Sequence, residues 1–102
     1  MKTTVTEKDG RTLIVVEGEL DTGTCDKFQS ELAPIMERKH VRAEMDMGGV
    51  EYISSKAIRI IILLQQRLVA GNGTLLISKV SPMVRDVFDM TGLSRNFLQN
   101  EL

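Results

Sequence analysis

Val41-Arg42-Ala43-Glu44-Met45-Asp46-Met47-Gly48-Gly49-Val50-Glu51-Tyr52-Ile53-Ser54-Ser55-Lys56-Ala57-Ile58-Arg59-Ile60-Ile61-Ile62-Leu63-Leu64 carries the reading of the fold. Val41 to Met47 alternates apolar and polar side chains, with Val41, Ala43, Met45 and Met47 on one face, which predicts a strand. Gly48-Gly49 opens a loop from which Val50 and Tyr52 tuck inward. From Ser55 to about Ala70 the chain reads as a helix. At about 100° per residue, Ala57, Ile61, Leu64 and Leu68 form its core stripe, and Lys56, Arg59, Gln66 and Arg67 lie opposite. Ile58, Ile62 and Val69 widen the apolar arc, Ile60 sits at its other edge, and Leu63 falls within the polar arc. In one reading neighbouring helices cover Ile58, Ile62 and Val69, and Leu63 is a single exposed leucine. In the other, Ile60 and Leu63, rimmed by Lys56, Arg59 and Arg67, belong to a partner-docking surface.

Upstream, Thr3 to Glu7 reads as an edge strand and Asp9-Gly10 as a tight turn. Thr12 to Val16 reads as a buried strand ended by Glu17-Gly18, so the chain opens with an antiparallel hairpin. Asp21, Thr22 or Thr24 can cap the next helix, whose stripe is Cys25, Phe28, Leu32, Ile35 and Met36. Pro34 calls for a kink, or for an early finish near Ala33 with a loose final turn. After the long helix, Gly71-Asn72-Gly73 is a stop with glycine in the left-handed cap position, and Thr74 to Ile77 is a further buried strand. Ser81-Pro82 starts a last helix, with Val84, Val87, Phe88 and Met90 on its inner side. Gly92 ends it, and Asn96 to Gln99 reads as a short final strand. This order predicts an α/β fold: a mixed central sheet of four to five strands covered by about three to four helices.

The 102 residues form one domain, 1–102. Apolar residues make up 42% of the chain, and 13 basic residues nearly balance 14 acidic ones. That balance exerts no long-range pull toward nucleic acid or anionic membrane. Arg38, Lys39, His40 and Arg42 cluster, as cations do at a helix C-terminus. Cys25 is the single cysteine, which excludes an intramolecular disulfide and suits a reducing compartment. The polar N-terminus lacks a signal-peptide core, and the longest apolar run, Ile60 to Leu64, is too short to span a bilayer. A soluble cytoplasmic protein is expected. His40 has no nucleophile in a triad pattern, and no phosphate-binding loop or zinc spacing occurs. The reading is therefore non-enzymatic, with no cofactor and no metal.

Ser54-Ser55 remains the feature with chemistry. A hydroxyl there can cap the helix, and a phosphate would meet free N–H groups at the positive end of the helix dipole. Three blocks in order, Gly18-Glu19-Leu20-Asp21 with Thr24-Cys25, Tyr52 to Arg59, and Ser81 to Leu93, resemble the STAS domains of bacterial anti-sigma factor antagonists over nearly the whole chain. The resemblance implies a STAS-like fold and a partner switch. Such a protein binds a GHKL-type serine kinase that is an anti-sigma factor and so releases a sigma factor; the kinase phosphorylates a serine at the helix start, and a PP2C-type phosphatase reverses this. It implies a docking surface that includes Asp21, Ser54, Ser55, Lys56, Arg59 and Ile60, to which the helical wheel adds Leu63. Matching Ala57-Ile58 to the family's Gly-Leu puts Ser54 on its aspartate, Ser55 on its first serine and Lys56 on its usual acceptor. Ser55 is then a cap or a substitute acceptor, with Ser54 the second choice. The alternative is a STAS subunit of another assembly, such as a lipid-transport ABC complex or a stressosome-like sensor.

Overall fold

A computed structural model of the protein describes residues 1–91. The expected stop at Gly92 and strand at Asn96 to Gln99 lie outside them. Four strands and three helices follow in the order β1 (Lys2–Lys8), β2 (Arg11–Leu20), α1 (Cys25–Met36), β3 (Arg42–Ile53), α2 (Ser55–Ala70), β4 (Thr74–Ser78) and α3 (Pro82–Thr91). The sheet order is β1-β2-β3-β4. The first pair is antiparallel, and the β2–β3 and β3–β4 pairs are parallel. This is the expected mixed sheet with an opening hairpin.

The period-2 pattern of the strands decides which face is buried. Thr12 and Ile14 of β2 line up with Ala43 and Met45 of β3, and these with Leu75 and Ile77 of β4; all are buried, as are Val16 and Met47 at the following inward positions. Two parallel connections advance in the same direction across the sheet. Right-handed crossovers then put both intervening helices on one face, and α1 does pack against α2. Ala57, Ile61, Leu64 and Leu68 of α2 all lie in the core, as the helical spacing predicts, and Cys25, Phe28, Leu32 and Ile35 meet them from α1. Full burial of each such Leu, Ile or Phe contributes roughly 1.5–3 kcal/mol.

Several elements run differently from their local sequence. Strand β2 continues past Glu17-Gly18 to Leu20, and β3 continues through Gly48-Gly49 to Ile53. The reason is pairing: Glu17 to Leu20 supply a ladder for the second half of β3. Between Val15 and Glu17, and again between Gly18 and Glu19, β3 takes up one extra residue relative to β2, as in a bulge. A Cβ at Gly49 would come within 2.9 Å of Glu17 Cγ, so a larger residue at the first of these places would push the Glu17 side chain aside. The shifts also break the alternation. Val50 and Ile53 turn inward, while Tyr52, expected to tuck in, is 49% exposed.

Helix α1 neither ends at Ala33 nor stops at Pro34 but reaches Met36. Pro34 is exposed and sits one turn from the end, where Arg38 N–H donates to Ile35 O at 3.1 Å. Burial of Ile35 offsets the hydrogen bond that the proline cannot make. After α2 the left-handed residue is Asn72 (φ 64°), whereas Gly71 has φ −91°; asparagine tolerates this conformation. Ser81 caps α3, accepting from Val84 N–H at 3.3 Å, as the Ser-Pro pair suggests. Val84 and Phe88 are buried and Val87 half-buried, but Met90, expected inside, is 85% exposed.

Candidate functional site

The chain leaves β3 at Ile53 and enters α2 at the same end of the sheet where β2 delivers the chain to α1. Both handovers are fastened by short hydrogen bonds. Ser54 N–H donates to Leu20 O at 2.9 Å, which ties the start of α2 to the end of β2. Asp21 Oδ1 accepts from Gly23 N–H at 2.9 Å and Thr24 N–H at 3.0 Å, and Thr24 Oγ1 donates to Glu19 O. Thr24 stands at the cap position of α1 without bonding the helix through its side chain. The starts of α1 and α2, with their free N–H groups and positive dipole ends, therefore lie side by side.

The two serines have different positions. Ser54 is extended (φ −90°, ψ 164°), and its Oγ accepts from Ala57 N–H at 3.2 Å. It is the N-cap of α2, it is buried, and its hydroxyl also lies 3.5 Å from the buried Cys25 Sγ. Ser55 is the first helical residue and is exposed; its hydroxyl has no hydrogen-bond partner among the described residues. The expectation that Ser55 serves as cap is thus corrected, because the extended backbone needed to aim a hydroxyl back at the third following N–H belongs to Ser54. Ser54 as second-choice acceptor would need both its cap and its burial undone.

Of the remaining expected docking residues, Lys56, Arg59 and Ser55 share the exposed start of α2, with the half-buried Leu63 further along and the half-buried Asp21 on the neighbouring turn. Ile60 does not join them. It is 4% exposed and belongs to the core cluster: at the edge of the apolar arc it is taken by packing, and an aspartate there would bury a charge and damage the fold. Ile58 is covered too, but Val69 is 57% exposed.

One site residue has no local signal in the sequence. Asp26, in the first turn of α1, accepts from Lys56 Nζ at 3.1 Å. Thirty positions separate the two, so only the parallel β2–α1–β3 crossover reveals the pair. Arg59 makes no ion pair among the described residues. The accessible surface thus offers a free hydroxyl, an unpaired guanidinium, a paired lysine and the exposed Tyr52. Among the described residues no cluster of acidic, His and Cys side chains could hold a metal ion, and no helix is long and apolar enough to cross a membrane.

Known proteins share this fold. BtrV of Bordetella bronchiseptica, described as a candidate anti-sigma factor antagonist, is 29% identical over 92 residues, covering 90% of this chain and 79% of its own. An anti-sigma factor antagonist from Mycobacterium paratuberculosis superposes with a TM-score of 0.84 at 23% identity, over 94% of this chain and 81% of that one. The Bacillus anti-sigma factor antagonist SpoIIAA superposes in its unphosphorylated form with a TM-score of 0.81 (18% identity, 94% and 85% covered). Its phosphorylated form gives 0.75 (17% identity, 94% and 88% covered). The STAS domain family model matches residues 2–102, and this chain belongs to the STAS domain family.

Proposed function

We propose that this chain is a cytoplasmic anti-sigma factor antagonist whose docking surface is the exposed start of α2 with the adjoining turn of α1. Its partner is an anti-sigma factor of the GHKL serine-kinase type, and binding releases a sigma factor for transcription. Ser55 is the phosphoacceptor, and a PP2C-type phosphatase restores the binding form. The observation that carries this reading is the division of labour between the serines: Ser54 holds the helix, which leaves Ser55 accessible and chemically free. The resemblance to BtrV and the phosphorylated form of SpoIIAA support it. A dianion on Ser55 would sit in the middle of the contact surface, where coupling of the usual size weakens binding about ten- to hundredfold.

The test is incubation with a GHKL-type anti-sigma factor and ATP, followed by affinity measurement and mass spectrometry. The expected result is a complex that ATP dissolves as one phosphate appears on Ser55, with Ser55→Ala still binding but no longer released. Arg59→Asp should weaken the complex about tenfold or more. Absence of binding, with recovery of transporter subunits from the native host instead, would overturn the reading.

A further inference from the structure

Ser55 and Arg59 are one helical turn apart, both exposed, at the start of α2. Residues four apart are neighbours on a helix, and an anion N-terminal to a cation is the favourable order. Arg59 has no ion pair among the described residues, while the cation next to it in sequence is occupied: Lys56 Nζ lies 3.1 Å from Asp26 Oδ1 on α1. Lys56 is adjacent to Ser55 and so points to a different side of the helix. The charged groups that share this end of the molecule with Ser55 are Arg59 and Lys56 on its own helix and, on the α1 side, Asp26, which pairs with Lys56, and Asp21, whose Oδ1 is held by Gly23 and Thr24 N–H. Of the two cations, Arg59 is the one without an ion pair among the described residues.

We propose that Arg59 is the positioning residue for this switch: its guanidinium pairs with phosphate on Ser55. This rests on the reading of Ser55 as acceptor. Modification then does two things at once. It adds a dianion, and it withdraws Arg59, otherwise available to a partner carboxylate, into an intramolecular pair. A fork of N–H donors suits a phosphate better than a point charge does. The fold is expected to stay intact, because an acidic group in the first turn and an i,i+4 pair both favour the helix.

The experiment installs phosphoserine at position 55 during translation, so that no kinase is needed. The second ionisation of the phosphate is followed by its 31P chemical shift against pH at low salt. In the otherwise unchanged chain the pKa is expected below the ordinary value of about 6. Arg59→Gln should raise it by about 0.3 unit, Arg59→Lys should retain part of the lowering, and added salt should shrink the difference. An amide fingerprint spectrum establishes that each variant is folded. The same titration in phosphorylated Arg59→Gln and unchanged chains giving one pKa would overturn the inference. That failure would leave the proposed function standing, whereas an anti-sigma kinase that ignores Ser55 would remove the switch and leave the pairing measured here intact.

Discussion

Replacing Ser54 by alanine, with the same change at Ser55 as its control, tests the assignment of roles at the start of α2. Ser54 Oγ accepts from Ala57 N–H at 3.2 Å in a site only 7% exposed. Ser54→Ala removes an N-cap, a loss of about 1 kcal/mol in general. Because water reaches the freed N–H poorly, the cost rises toward that of a buried unsatisfied donor, about 1–3 kcal/mol. About 1–2 kcal/mol is therefore expected, which for a domain of this size lowers Tm by roughly 4–16 °C. With a urea m-value of about 1–3 kcal/mol/M, the midpoint should fall by several tenths of a molar or more, without a change of slope. Ser55→Ala removes an exposed hydroxyl that bonds nothing among the described residues and should change stability by less than about 0.5 kcal/mol. Ser54→Asp keeps an acceptor at the cap and should recover much of the loss. Urea unfolding of all four proteins by circular dichroism decides the matter. Equal effects at the two positions, or a larger one at Ser55, would refute the assignment of cap to Ser54 and free hydroxyl to Ser55.

Three further outcomes are expected. Glu7 accepts hydrogen bonds from Arg38 and Thr12, which hold its carboxyl below the ordinary 4.5. Since the folded value is the lower one, this contribution to stability is present above about pH 4.5 and is lost as pH falls through the depressed value. Glu7→Gln should therefore lower stability at neutral and alkaline pH, with the difference from the unchanged chain shrinking as pH falls below about 4.5. Gly73→Ala should destabilise by about 1–3 kcal/mol in a thermal melt, because a Cβ there overlaps the Val41 carbonyl oxygen, which is backbone and cannot swing aside. Lys56→Ala should shift stability by less than about 1 kcal/mol, since the pair with Asp26 is exposed, with Asp26 at 87%; a larger loss in urea unfolding would show that the pair clamps α1 to α2.

Much of the fold was legible in the sequence because those features are periodic or local. The stripe Ala57-Ile61-Leu64-Leu68 could face only one way once a helix formed, and the Ser81-Pro82 pair encodes its own helix start. The hairpin turn at Asp9-Gly10 is local in the same sense, with both residues at positive φ. The misread places share a different property. Gly48-Gly49 resembles a loop locally, yet it becomes strand because Glu17 to Leu20 lie alongside it. Tyr52 turns outward because extra residues in β3 shift the alternation, and that shift belongs to a strand pair, not to either strand.

The candidate site divides in the same way. That two hydroxyls meet the start of an apolar helix bearing Lys56 and Arg59 is local information, since adjacency and a turn of helix need no tertiary contact. Which serine is the cap depends on the neighbouring strand: Ser54 N–H bonds to Leu20 O at the end of β2, and there its backbone is extended and its hydroxyl reaches Ala57 N–H. Packing alone removed Ile60 from the surface, and the crossover alone brought Asp26 to Lys56. Helical periodicity assigns a residue an angle, but burial and partnership at that angle depend on what the rest of the chain places there.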